Sequence, residues 1–277
     1  MPEKVERLRH DYLRHDKKFP HVWCPGCGNG IVLGALIRAI DSLELEKDEL
    51  VLASGIGCSG RMPVYVDFNT LHTTHGRALT FATGIKLANP SLNVLTIMGD
   101  GDATAIGGNH FIHAARRNLD LTAIIINNQI YGMTGGQYSP TTPYGSNAAT
   151  AAYGHIEHAF SIAELAVTAG ASFVARGTVY HVPLLDKLIA QGISKKGFSV
   201  IEIMSNCHIQ YGRRNKKGDP VTMMKEFKDQ AVTVEKAATL SAEELQDKIT
   251  VGVLTDIDKP NYTEELQKIR DTAEKTQ

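Results

Sequence analysis

Four cysteines occur in the 277 residues of this chain, at positions 24, 27, 58 and 207. The first two form a Cys-x-x-Cys pair in HVWCPGCGNG, while the others stand singly in GIGCSGR and NCHIQYGRRN. Such a pair can be half of a zinc site, a redox-active dithiol, or two corners of an iron–sulfur cluster. Structural zinc favours two closely spaced pairs, and here Cys58 and Cys207 are separated by nearly 150 residues. A dithiol would leave Cys58 and Cys207 idle. A [4Fe–4S] cluster takes four thiolates without such a pairing rule. Taken singly, Cys58 and Cys207 also read as small core residues, so spacing alone leaves the alternatives open.

A second group of residues could do different chemistry. GDGDA at 99–103 and NNQIYGMTGG at 127–136 each follow an apolar run. Asp100 offers a carboxylate, Asn128 an amide oxygen, and the loop beyond it main-chain carbonyls. An all-oxygen set with one carboxylate suits Mg²⁺ completed by phosphate oxygens. A helix start after Gly101 would add N–H donors for a diphosphate. By itself Gly-Asp-Gly is a common turn, and Asp100 could equally cap a helix; the Asn-Asn pair at the end of the next strand strengthens the metal reading.

The elements that must hold these groups are legible in the apolar periodicity. Segments at 48–57, 93–99, 121–128, 172–178 and 197–205 read as buried strands, and segments at 31–40, 76–89, 107–117, 161–170 and 182–194 read as helices. Strand, crossover helix, strand is the unit of a parallel sheet, so the fold class is α/β with a parallel sheet flanked by helices. All four cysteines fall at turns or strand ends, where they could converge. Residues 132–150 form a long Gly/Ser/Thr/Pro-rich loop, a length usually tied to function. The expected organisation is one domain over 1–218 and a charged, helical C-terminal extension over 219–277.

Composition narrows the setting. A formal net charge of −1 offers no electrostatic footprint for nucleic acid or acidic membrane. The short basic stretch Arg213, Arg214, Lys216, Lys217 reads as a solvated loop. No apolar run approaches a membrane span, and the charged N-terminal residues lack the apolar core of a signal peptide. The expectation is a cytoplasmic protein whose cysteines stay reduced.

The spacing Gly-Asp-Gly, about 25 residues, Asn-Asn resembles the signature of thiamine-diphosphate enzymes. The longer string NNQIYGMTGGQYSPTTP, together with WCPGCGNG, GIGCSGR and NCHIQYGRRN, resembles the β subunit of the 2-oxoacid:ferredoxin oxidoreductases. The likeness runs through about residue 215. It implies the thiamine-diphosphate-binding fold of the diphosphate type. It also implies Mg²⁺ ligands in Asp100, the side chain of Asn128 and the main-chain carbonyl of Ile130. By the same likeness Cys24, Cys27, Cys58 and Cys207 would hold a [4Fe–4S] cluster. Ile56, Gly57, Cys58, Ser59, Gly101, Asp102, Gly132 and Met133 would contact thiamine diphosphate.

The implied reaction is oxidative decarboxylation of a 2-oxoacid with coenzyme A, electrons leaving through the cluster to ferredoxin. Arg61, on the Cys58 loop, could bind a substrate carboxylate in bidentate fashion and would favour 2-oxoglutarate over pyruvate. Asn29, acidic in some pyruvate-type relatives, points the same way. His75 is expected near the cofactor or the substrate. No glutamate stands in a motif suited to activating thiamine, since Glu157, Glu164 and Glu202 fall on elements that read as scaffold. That glutamate and the pyrimidine-binding domain would come from an α subunit, in an αβ or (αβ)₂ assembly. Two alternatives remain: a non-oxidative thiamine decarboxylase or ligase subunit whose CxxC binds zinc, and a non-enzymatic electron-transfer or zinc module. Within the resembling family, a pyruvate or broad-specificity enzyme is the other substrate choice.

Overall fold

The apolar runs at the centre of the sequence become strands buried on both faces, the condition under which a parallel sheet is stable. A computed structural model describes residues 2–16 and 19–276; Lys17 and Lys18 of the charged N-terminal stretch lie outside the described residues. The strands are β1 (Leu50–Ser54), β2 (Asn69–His72), β3 (Asn93–Gly99), β4 (Thr122–Asn127), β5 (Phe173–Thr178), β6 (Ser199–Met204), β7 (Ala231–Thr233) and β8 (Ile249–Asp256). The helices are α1 (Pro2–Tyr12), α2 (Asn29–Ser42), α3 (Ala78–Ala88), α4 (Gly108–Arg117), α5 (Ile162–Ala169), α6 (Val182–Ser194), α7 (Pro220–Gln230), the short α8 (Val234–Ala237) and α9 (Ala242–Leu245), and α10 (Tyr262–Lys275). Among the described residues no helix is long and apolar enough to cross a membrane.

One sheet runs in the order β2-β1-β3-β4-β6-β5-β8-β7. Every pairing is parallel except β5 with β8. Two cores result, one on each face. The first joins α2 and α6 to the sheet through residues such as Leu36, Ile40, Leu185 and Ile189. The second seats α3, α4 and α5 through Leu79, Phe111, Ala115 and Ile162. Arg38 of α2 grips Asp186 of α6 with two N–H donors, at 2.7 and 2.9 Å, which fixes the helix that begins beside the CxxC loop.

Every strand and helix expected through β6 is observed to within a few residues, while α1, in the charged N-terminal stretch, is a helix beyond those expected. Edge strand β2 escaped the apolar pattern because its face is largely solvated. The C-terminal segment differs from expectation. It is not purely helical, for β8 pairs antiparallel with β5 and carries β7 at the sheet edge. The β-branched alternation of Ile249, Val251 and Val253 is the strand signal there, masked by the charged residues on either side.

Glu202 is scaffold, as read from the sequence. Only 2% exposed on β6, its carboxylate accepts from Asn127 Nδ2 (2.8 Å), Arg176 Nε (2.8 Å) and the Ala163 N–H (3.3 Å). It thus ties β4, β5, β6 and the start of α5 together. Glu202→Ala strands the Arg176 guanidinium beside an apolar side chain. We expect it to lower unfolding free energy by about 3–5 kcal/mol in chemical denaturation; a loss below about 1 kcal/mol would contradict this role.

Candidate functional site

Ligands in open parallel sheets sit beyond the carboxyl ends of the strands. Here the neighbouring strands β1, β3, β4 and β6 end in the segments bearing Cys58, Asp100, Asn128 and Cys207, in that order across the sheet. Four singletons far apart in sequence therefore emerge along one edge.

Cys24 and Cys27 reach that edge through loop contacts. The indole N–H of Trp23 donates to the Cys58 carbonyl at 2.6 Å. Asn206 donates to the Gly26 carbonyl at 2.9 Å. Gly28 packs so closely on the end of β6 that a Cβ would stand 2.2 Å from Ser205 Oγ. The four cysteines consequently line one pocket of about 240 Å³, along with Asn29, Arg61 and Met133. A Cβ on Gly132 would lie 3.4 Å from the Cys207 sulfur and 3.6 Å from that of Cys58, in van der Waals contact with both thiols. Cys24 is exposed and the other three are half-buried. Burial raises the pKa of the Cys27 and Cys207 thiols and pushes that of Cys58 up to about 12. Among the described residues, no three His, Cys, Asp or Glu side chains close on a single metal-ion position.

A second pocket, of about 100 Å³, adjoins the first. Ile56, Gly57, Cys58, Ser59, His75, Asp100, Gly101, Asp102, Asn128, Ile130, Gly132 and Met133 all line it. Of the residues singled out in the sequence for cofactor, Mg²⁺ or substrate, Arg61 alone lies outside this lining; it borders the cysteine pocket. Cys58, Asn128, Gly132 and Met133 line both pockets.

Backbone after β3 turns helical at once rather than through a separate turn, and is π-helical over Asp102–Ile106. A second π-helical turn, His208–Gly212, follows Cys207. Such turns frequently occur at functional sites. Asp100 is 2% exposed. Its Oδ2 accepts from Ser139 Oγ (2.5 Å) and Thr141 Oγ1 (2.6 Å), and the Asn128 N–H lies 3.4 Å from Oδ1. Burial still raises its pKa, because these partners carry no formal positive charge. Among the described residues Asn128 Oδ1 accepts one long bond, from the Ile130 N–H at 3.3 Å. A buried carboxylate and an amide oxygen around neutral partners form a donor set suited to a hard cation.

Asp102 pins the opposite wall. It accepts from the Gly76 N–H (2.7 Å) and the Ile56 N–H (3.3 Å), and bonds the ring of His75. Its Oδ2 is buried without a partner among the described residues. His72 faces Ser54 Oγ at 2.8 Å, a structural role.

Sequence reasoning missed Ser139 and Thr141, which cradle Asp100, and Trp23, which braces the two cysteine loops. The string YSPTTP held the first two in view, but only the folded loop brings hydroxyls 39 and 41 residues downstream onto Asp100.

Comparison with known proteins gives this geometry a family. Residues 55–203 match the thiamine pyrophosphate enzyme C-terminal TPP-binding domain. That span contains Cys58, Asp100 and Asn128 and leaves Cys24, Cys27 and Cys207 outside. The chain is 52% identical to 2-oxoglutarate synthase subunit KorB of Methanocaldococcus jannaschii, over 93% of this chain and 95% of that one. It is 47% identical to the 2-oxoacid:ferredoxin oxidoreductase β subunit of Saccharolobus solfataricus, over 67% of this chain and 61% of that one. In three dimensions it resembles a chain of the 2-oxoglutarate:ferredoxin oxidoreductase from Magnetococcus marinus, a structure with 2-oxoglutarate, coenzyme A and succinyl-CoA bound. The TM-score is 0.85 at 33% identity, over 96% of this chain and 90% of that one. A thiamine pyrophosphate-binding domain with these relatives belongs to the β subunits of the 2-oxoacid:ferredoxin oxidoreductases.

Proposed function

We propose that this chain is the cofactor-bearing subunit of an enzyme that oxidatively decarboxylates 2-oxoglutarate with coenzyme A, yielding succinyl-CoA and CO₂ and passing electrons to ferredoxin. The observation that carries this reading is the shared wall between the two pockets: Cys58, Asn128, Gly132 and Met133 line both. A thiol pocket that close to a thiamine cradle suits electron transfer out of it.

In the cradle, Asp100, the Asn128 side chain and the Ile130 carbonyl are the residues that would hold Mg²⁺. Ile56, Gly57, Ser59, Gly101, Asp102, Gly132 and Met133 would hold thiamine diphosphate. When bound, that cofactor supplies the electron sink for loss of CO₂. Asp102 fixes the His75 ring and the Gly76 and Ile56 backbone around it. The four cysteines are the residues for a [4Fe–4S] cluster, which would accept electrons one at a time. Four thiols lining one pocket match the four-thiolate ligand set that such a cluster takes.

Arg61 borders the cysteine pocket and offers its guanidinium to the distal carboxylate of a dicarboxylic 2-oxoacid. Relatives named for 2-oxoglutarate support that substrate. Glu202, engaged with Arg176 and Asn127, is unavailable to activate thiamine. An α subunit would bring that glutamate and the pyrimidine-binding domain.

Assayed anaerobically with viologen dye, the α–β complex is expected to turn over 2-oxoglutarate in preference to pyruvate; the reverse preference would refute the substrate assignment. Arg61→Ala should raise KM for 2-oxoglutarate by roughly tenfold to a hundredfold, the worth of a hydrogen-bonded charge. Unchanged KM would remove Arg61 from the substrate site. Asp100→Ala should abolish retention of thiamine diphosphate while the iron content stays at the wild-type level. Cys207→Ser, outside the cradle, should do the opposite: iron falls, dye reduction stops, and thiamine diphosphate still binds. Zinc without iron in the anaerobic wild-type protein would overturn the cluster assignment.

A further inference from the structure

Asn29 opens α2 two residues after Cys27 and is only 1% exposed. Its amide nitrogen donates to the Cys27 sulfur at 3.2 Å. Its amide oxygen is buried without a partner among the described residues. That combination needs an explanation, since a neutral thiol is a weak acceptor and does little to offset a buried amide with an orphaned oxygen. A metal-bound thiolate is a far stronger acceptor, because donation to a charged group strengthens the bond.

The remaining sulfurs are treated unequally. Main-chain N–H groups of Ile209, Gln210 and Tyr211 act on Cys207, and that of Asn29 joins its side chain on Cys27. At Cys58, the cysteine shared with the thiamine cradle, only burial and the other thiols are at work. Donors therefore act on Cys27 and Cys207 and not on Cys58.

We propose that Asn29 sets the reduction potential of the cluster through its side-chain N–H···S bond to Cys27. This rests on the reading that the four cysteines hold a [4Fe–4S] cluster. Reduction adds negative charge to the cluster, and a donor on a ligand sulfur stabilises the more negative state. Removing the donor makes reduction harder and drives the potential more negative. Among the described residues Asn29 makes no hydrogen bond to the thiamine cradle or to Arg61; it is a positioning residue acting through Cys27. A donor here eases electron flow out of the cradle and weakens the drive of the reduced cluster toward ferredoxin.

The test is an EPR-monitored redox titration of the anaerobic α–β complex as wild type, Asn29→Leu and Asn29→Ala, with iron per chain measured in each. Both variants should keep wild-type iron and show a more negative midpoint. Leu, which matches the shape and leaves no room for a water donor, should shift further than Ala. Wild-type iron with an unmoved or more positive midpoint in Asn29→Leu would overturn the proposal, whereas a merely structural role predicts loss of iron without a shift in the clusters that remain. Should either variant fail to assemble, the wild-type complex carrying asparagine labelled with ¹⁵N on the side chain decides: pulsed EPR of the reduced cluster should detect a ¹⁵N coupling, and its absence refutes the bond. A wild-type complex without iron would fail the cluster reading itself, a result distinct from an intact cluster whose potential ignores Asn29.

Discussion

Parallel pairing of β1, β3, β4 and β6 is the constraint from which the site follows. Parallel strands all end on one edge, and each crossover helix returns the chain to the opposite edge before the next begins. Because these four strands are neighbours, the segments that leave them at 55, 100, 128 and 205 emerge together. The sheet is buried on both faces, so its strands must be apolar nearly throughout, and polar residues gather where the strands stop. Glu202 on β6, paired with Arg176 on β5, is the exception inside the strands, and its three donors show what a buried charge there requires.

Both pockets place ionisable groups where water is scarce. Burial works against the charged form of Asp100 and of three cysteine thiols. The protein answers with short hydroxyl bonds at Asp100 and N–H donors at Cys27 and Cys207. The same logic connects the pockets. Cys58 belongs to a loop whose earlier residues Ile56 and Gly57 line the second pocket, so the loop cannot shift in one pocket without moving the wall of the other.

The C-terminal segment shows how local pattern can mislead. Charge density from 219 onward suggested helices alone, yet Ile249–Asp256 joins the sheet beside β5. Its neighbours α8 and α9 span four residues each. A weakly apolar strand of this kind is stabilised by its partner's backbone more than by its own side chains, and the partner lies some 75 residues upstream.

By itself the sequence determined the chemistry available: four thiols, one aspartate before a glycine, an Asn-Asn pair, and the apolar runs that make them strand-end residues. These are local properties, set by residue type and by periodicity within a few turns of chain. Only the tertiary structure decided that the thiols face one pocket, that this pocket shares a wall with the cradle, and that Ser139 and Thr141 hold Asp100 while Asn29 bonds Cys27. The first two depend on strand order, and the hold of Ser139 and Thr141 on Asp100 on the path of a long loop, neither of which a periodicity encodes. The bond of Asn29 to Cys27 joins residues two apart, but it depends on how the CxxC loop is pressed against Ser205 and Asn206 at the end of β6.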